Sequence, residues 1–139
     1  MANVLNDSGL AEVTAALAAI TWYGSWGTGA GTAAVANTTL FTEVQSTTNN
    51  GTGNTRPTAT ASQQTTVKTN DTLRLVVTLV ADASRSITNT GVFDAIGTAA
   101  DLSTPPSGGN LLCKADHPTE ALTNTQSIVY THNIRFNNP

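Results

Sequence analysis

Two segments of this 139-residue chain alternate between apolar and polar residues with the two-residue period of a β-strand. In the first, residues 73–80, one face carries Leu73, Leu75, Val77 and Leu79. In the second, residues 128–136, one face carries Ile128, Tyr130, His132, Ile134 and Phe136. A helix cannot keep such a pattern on one side. The fold must therefore contain a sheet with one face packed against a core.

Weaker patterns predict the remaining elements. Asp7 and Ser8 precede apolar residues at helical spacing, namely Leu10, Val13, Leu17 and Ile20, which predicts a capped helix of about three turns. Strands are predicted at 21–26, 87–93 and 111–115, and residues 38–44 fit a strand and a helical turn equally. The fold class is mainly β, an antiparallel β-sandwich or squat, jelly-roll-like β-barrel with one short N-terminal helix.

The composition favours one folded β-rich domain, residues 1–139. Only 29 residues are Leu, Ile, Val or Phe, but the net charge is −3, and disordered chains usually combine weak hydrophobicity with high net charge. The chain has 26 Thr, which suit strands, and 13 Asn, which suit turns. Polar stretches around 46–55 and 98–109 are predicted as long loops.

The same composition argues against several partners. Six scattered Lys and Arg residues cannot neutralise a run of phosphates, so we expect no nucleic-acid binding. The sequence has no 18-residue apolar stretch and no basic segment followed by an apolar run, so we expect no membrane span and no secretory signal. Cys113 is the only cysteine, which excludes an internal disulfide and predicts a buried free thiol.

Residues 29–34 match the loose G-x-G-x-x-A form of a dinucleotide-binding turn. That motif also requires an acidic residue about 20 positions later and repeated strand and helix units. Neither follows here, because the region around residue 51 is a Thr, Asn and Gly loop. A glycine-rich turn is the better interpretation, and we predict no cofactor.

His117 and His132 are the residues to consider for catalysis or metal binding. Neither has a second His, Cys or carboxylate at helical ligand spacing, and Asp116 should lie on the opposite side of the strand from His117. We expect His132 to be a hydrogen-bonded core histidine, and His117 with Pro118 to end a strand. No serine or carboxylate pair has a catalytic setting. We therefore predict no enzyme activity, no catalytic residue and no metal.

The candidate interaction surface combines aromatic residues with loop positions. Its members are Trp22, Tyr23, Trp26, Asn49, Asn50, Thr52, Pro105 and Pro106. For the three aromatic residues, core packing or a subunit contact is favoured, because large rings dominate both environments. The alternative is a platform on which sugar rings stack.

Several segments resemble a group of small tailed-phage structural proteins. Residues 26–31 and 38–44 read WGTGAG and TTLFTEV, similar to their opening pattern "G-T-G-x-x-x...T-x-L-x-x-E". Residues 90–94, 108–115 and 127–136 resemble their "G-L-F-D", "G-G-x-L-L-x-R-A" and "v-x-y-x-i-x-F" strands. Order and spacing agree over about two thirds of the chain. Departures are Lys114 where Arg is usual, Thr90 where an acidic residue is common, and an inserted loop at 98–107.

The resemblance implies a virion structural protein that is assembled in the host cytoplasm. Fibre segments usually show long repeats, heptads or collagen-like triplets, and this sequence has none. The favoured hypothesis is therefore a capsid decoration (cement) protein that binds the outer surface of the major capsid protein shell and stabilises it, as a homotrimer. The alternative is a tail-fibre or baseplate component that binds host glycans.

Overall fold

A computed structural model describes residues 5–46, 55–98 and 104–136. Within these ranges the chain forms one helix, α1 (Asp7–Ala18), and seven strands. The strands are β1 (Trp22–Gly27), β2 (Glu43–Val44), β3 (Thr58–Gln64), β4 (Thr72–Val80), β5 (Arg85–Phe93), β6 (Leu111–Leu122) and β7 (Ser127–Arg135). The mainly β fold with one short helix is confirmed. No helix in these three ranges is long and apolar enough to cross a membrane.

The strands form an antiparallel sheet in the order β6-β5-β1-β3-β4-β7, and β2 pairs with one end of β1. The sheet curls until it is nearly closed into a barrel, so the squat barrel describes it better than two stacked layers. β6 and β7 follow each other in sequence but lie at opposite ends of the strand order. The almost closed sheet therefore has two free edges.

The core fills the inside of the curled sheet. The inner face of β4 carries Leu73, Leu75, Val77 and Leu79, all of which are buried. β7 pairs with β4 along its whole length, and Leu75 lies opposite His132. Because directly paired residues share a face, the alternating residues of β7 also point inward. The two alternating segments of the sequence are therefore neighbours in one wall of the barrel.

The helix packs against β3 and β4, with Leu10 and Thr14 buried. Its N-cap is Asn6, whose side chain accepts a hydrogen bond from the Gly9 N–H at 2.8 Å. The observed cap therefore lies one residue earlier than the predicted pair, Asp7 and Ser8. Asp7 instead occupies the first turn, where a negative charge interacts favourably with the helix dipole.

Three segments differ in extent from the sequence prediction. β3 consists of polar and small residues, so its pattern did not distinguish it from a loop. In residues 38–44 only Glu43 and Val44 form a strand. β6 continues past the expected strand end at His117 and Pro118, with a register irregularity in this part of its pairing with β5. Proline is tolerated there because β6 is an edge strand.

Candidate functional site

The tryptophans of the candidate surface belong to the core. Trp22 is 5% exposed and Trp26 is fully buried. The indole N–H of Trp22 donates to the Leu17 carbonyl at 2.8 Å, and that of Trp26 donates to the Gln45 carbonyl at 2.9 Å. Tyr23 points to the other side of β1 and is half-buried. Core packing, one of the two environments favoured for these rings, is therefore confirmed for both tryptophans. Their place in the candidate interaction surface was wrong, and a sugar platform would lack its two largest rings.

The loop residues of the candidate interaction surface differ in whether they are described and exposed. Asn49, Asn50 and Thr52 lie outside the described residues. Pro105 is exposed, whereas Pro106 is buried and lies close to Gly97, so of the two prolines Pro105 is the one available for a contact.

The glycine-rich turn after β1 belongs to a loop, residues 28–42, that lies over the outer face of the sheet; we call it the covering loop. Gly29 and Gly31 both pack against Phe41, and a Cβ atom at either position would collide with that residue. Residues 32–46, the described part of the chain that follows these glycines, contain no helix. Their small size therefore serves packing, and the dinucleotide-binding alternative lacks its helix.

A buried ion pair between Arg56 and Glu43 lies next to the C-terminal end of the covering loop. Arg56 is 2% exposed, and its Nε and Nη2 donate to the two carboxylate oxygens of Glu43 at 2.7 and 2.9 Å. Its Nη1 donates to the carbonyls of Ala95 and Gly108, and the guanidinium lies 3.6 Å from the centre of the Phe93 ring. This one side chain thus joins the start of β3 to the segments after β5 and before β6.

Lys114 and Cys113 are the reactive side chains nearest the covering loop. The Lys114 ammonium lies over the Phe41 ring, 2.7 Å from its centre, and 3.9 Å from the Asp116 carboxylate. Burial lowers the pKa of Lys114, while the Asp116 charge opposes that shift. Burial raises the pKa of the half-buried Cys113 thiol to about 11, so the thiolate is scarce at neutral pH.

A cleft of about 450 Å³ lies between the free edges, β6 and β7. Residues 123–126 link the two strands in a turn, yet no backbone pairing joins them within the described ranges. Ala115, Ile128 and Val129 contribute the apolar part of the lining. The polar part consists of Thr90, His117, Glu120, Tyr130, Thr131 and His132.

One hydrogen bond crosses this cleft. The hydroxyl of Tyr130 lies 3.1 Å from Nε2 of His117, and Nδ1 of His117 lies 2.8 Å from the Pro118 carbonyl. A carbonyl can only accept, so in the neutral imidazole Nδ1 carries the proton and Nε2 accepts from Tyr130. Burial, with a contribution from the charge of Glu120, raises the pKa of Tyr130 to about 12. Tyr130 therefore stays protonated at neutral pH.

His132 is the second histidine of the cleft. It is 9% exposed, and its Nε2 is buried with no hydrogen-bond partner among the described residues. Burial also lowers its pKa, because the charged imidazolium is costly away from water. The predicted core position is confirmed, but the hydrogen bond expected there is missing within the part of the chain that the structure describes.

The cleft has the features of a binding site more than those of a catalytic one. Both nitrogens of His117 are engaged, and the Thr90 hydroxyl donates to the Ser25 carbonyl at 2.9 Å. Neither side chain is therefore poised as a base or an activated nucleophile. Among the described residues, no group of three or more His, Cys, Asp or Glu side chains could hold a metal ion.

Only part of this site could be predicted from the sequence. Alternation along β7 placed Tyr130 and His132 on one face, but no local pattern linked them to His117 and Glu120. Pro118 was the available signal, since proline inside a strand indicates a sheet edge.

Comparisons with known proteins found no matching family model and no matching curated protein.

Proposed function

We propose that this protein is a structural component of a tailed-phage particle, a capsid decoration protein that binds the outside of the shell and stabilises it without catalysis. The observation that carries the proposal is the spatial arrangement of the segments that resemble phage structural proteins. Four of the five segments, residues 26–31, 38–44, 90–94 and 108–115, are neighbours on one side of the barrel.

The first two of these segments are hydrogen-bonded to each other. The Thr28 N–H donates to the Thr42 carbonyl at 3.0 Å, and the Gly29 N–H donates to the Phe41 carbonyl at 2.9 Å. The first segment begins at the end of β1, which pairs with β5 of the third segment. The opening pattern therefore describes a strand together with the loop that folds back over it.

The third and fourth segments are joined as closely. The Asp94 carboxylate accepts hydrogen bonds from the Asn110 N–H at 2.6 Å and from its side-chain amide at 2.7 Å. Lys114 of the fourth segment contacts Phe41 of the second. The motifs thus make up one packed unit, which gives a physical reason for their order and spacing and supports a resemblance in fold.

The surface of this unit suits adhesion to another protein. Only 11% of the residues are charged, so long-range steering contributes little and association depends on shape and buried area. Val35 is fully exposed in the covering loop, between the first two segments. We propose that this side of the barrel, with Val35 at its tip, faces the major capsid protein, and that copies form a trimer on the shell.

The first test is to count copies of the protein per purified particle by quantitative mass spectrometry. A shell protein should be present in hundreds of copies. A handful to a few dozen would overturn the decoration role in favour of a tail or baseplate component.

The second test uses shells that lack the protein. Adding the recombinant chain should raise the temperature at which these shells release DNA. Val35→Asp should weaken binding to the shells, whereas Val67→Asp, which changes an exposed valine before β4, should not. Shells that respond identically with and without the protein would rule out stabilisation.

A further inference from the structure

Three hydroxyl groups line the cleft between β6 and β7, and two of them, those of Thr90 and Tyr130, use their protons in hydrogen bonds within the protein. Thr90 donates to the Ser25 carbonyl, and Tyr130 donates to His117. A hydroxyl has one proton but two lone pairs, so each oxygen still accepts a hydrogen bond. Towards a molecule in the cleft, both residues therefore act as acceptors.

The charged residue of the cleft, Glu120, also favours a ligand that donates hydrogen bonds. Glu120 lines the cleft, is close enough to Tyr130 to affect its pKa, and makes no ion pair within the described ranges. A carboxylate can only accept hydrogen bonds. Lined by one carboxylate and two acceptor oxygens, the cleft selects for a cation with several N–H donors.

His132 adds an independent sign that the cleft receives a polar group. Its side chain is nine-tenths buried, lines the cleft and leaves Nε2 without a partner among the described residues. Leaving a buried polar atom unsatisfied is unfavourable, so a hydrogen-bonding group that reaches Nε2 gains more there than at an exposed nitrogen.

The shape of the lining distinguishes between the possible cations. The rings of Tyr130 and His117 lie 5.5 Å apart, and that of His132 lies 6.4 Å from Tyr130, so flat faces border the acceptors. A guanidinium is planar, stacks on aromatic rings and has five donors, whereas an ammonium is compact and strongly hydrated. We propose that this cleft binds an arginine side chain presented by a partner protein.

The identity of that partner rests on the proposed function, under which the arginine belongs to an arm or loop of the major capsid protein. The binding chemistry itself does not depend on the function. The isolated chain should therefore recognise arginine in solution, which allows the two proposals to fail separately.

The test is an NMR titration of the full-length ¹⁵N-labelled chain with N-acetyl-arginine amide. Saturable shifts are expected in the amides of His117, Thr119 and Glu120 and of residues 128–132. N-acetyl-citrulline amide, which has nearly the same shape without the charge, should bind about tenfold more weakly, because hydrogen bonds to charged groups are the stronger ones. Equal binding of the two ligands, or shifts confined to other regions, would overturn the proposal.

Variants locate the interaction. Glu120→Gln should weaken arginine binding about tenfold by removing the carboxylate charge. Glu12→Gln, on the exposed side of α1, is the matched control and should bind as the wild type does. Tyr130→Phe keeps the ring but removes an acceptor, so it should also weaken binding. Melting curves of each variant check the fold, and wild-type affinity in a folded Glu120→Gln protein would contradict the proposed site.

The same pair of variants separates this inference from the proposed function. If Glu120→Gln reduces shell binding and Glu12→Gln does not, the arginine belongs to the shell. If the wild-type chain binds shells but not arginine, the cleft proposal fails and the decoration role stands. If the wild-type chain binds arginine but not shells, the decoration role fails and the cleft proposal stands.

Discussion

At the scale of single residues, Asp71 organises the turn that leads into β4. Its side chain is fully buried and accepts hydrogen bonds from the backbone N–H groups of Thr66, Val67 and Lys68. Hydroxyl groups of Thr66 and Thr72 bond to it as well. Burial alone would raise the pKa of this carboxyl, but the hydrogen bonds to its charged form outweigh burial and hold the pKa well below the ordinary value of 3.8.

The lowered pKa of Asp71 predicts how the stability of the protein depends on pH. Because the folded-state pKa is lower than the unfolded one, the carboxylate stabilises the fold above pH 3.8, and this contribution is lost as the pH falls from there towards the folded pKa. Asp71→Asn should lower the melting temperature at neutral pH and reduce the loss of stability on acidification. Melting curves at a series of pH values measure both effects.

We expect Asp94 to contribute to the acid sensitivity that remains in the Asp71→Asn protein. Hydrogen bonds from the side chain and backbone of Asn110 lower its pKa in the same direction. An Asp71→Asn protein whose melting temperature falls with pH as steeply as that of the wild type would show that Asp71 does not control this response.

At the scale of elements, β1 lies close to Val77 of β4 at Gly24. A Cβ atom added there would lie 2.7 Å from Cγ2 and 2.9 Å from Cβ of Val77. Val77 is a β-branched, buried residue of β4 with little freedom to move aside. Glycine at this strand position is therefore a requirement of packing between β1 and β4.

We predict that a larger side chain at residue 24 can be compensated by a smaller one at residue 77. Gly24→Ala should destabilise the protein by about 1–3 kcal/mol through overpacking. Adding Val77→Ala should recover part of that loss, although Val77→Ala alone is destabilising because it leaves a cavity. Urea unfolding of the wild type, both single variants and the double variant measures the coupling. Losses that simply add in the double variant would mean that the two side chains do not compete for space.

The elements also show what could be predicted from the sequence. β4 and β7 were predictable because large apolar residues contrast with polar ones at every second position. β3 was not, because Thr, Ala, Ser and Gln give no such contrast and its neighbours supply its burial. The tryptophans of β1 were ambiguous, since a ring that fills a core and a ring that forms an interface look alike in sequence.

The cleft was beyond prediction for a different reason. Tyr130 and His117 are 13 residues apart on two strands that share no backbone pairing in the described ranges. They meet because the whole sheet curls until its first and last strands approach each other. Local sequence patterns indicate where a strand lies, but they do not indicate how strongly the whole sheet curves.

At the scale of the whole molecule, stability should decrease from the middle of the strand order towards its ends. β1, β3, β4 and β5 each have partners on both sides, whereas β6 and β7 each have one. Much of β6 is exposed, and its pairing with β5 is irregular. Opening an edge strand breaks fewer contacts than opening a central one.

Hydrogen exchange of backbone amides should reproduce this order. The slowest amides are expected in β1 and β4, and the fastest strand amides in β6 beyond Asp116. Two-dimensional NMR of the chain in deuterated buffer measures the rates residue by residue. Equal protection of β6 and β4 would mean that the free edges are closed in solution, and that the cleft between them is not available to a ligand.

The exposed valine of the covering loop illustrates how this fold can prepare a surface for association. The turn that carries Val35 is held by two hydrogen bonds between Ala34 and Asn37, and farther along Phe41 anchors the loop against glycines. An apolar side chain fixed in this way has already given up most of its backbone freedom during folding. A neighbouring subunit that covers it therefore gains the burial without also having to freeze a flexible loop.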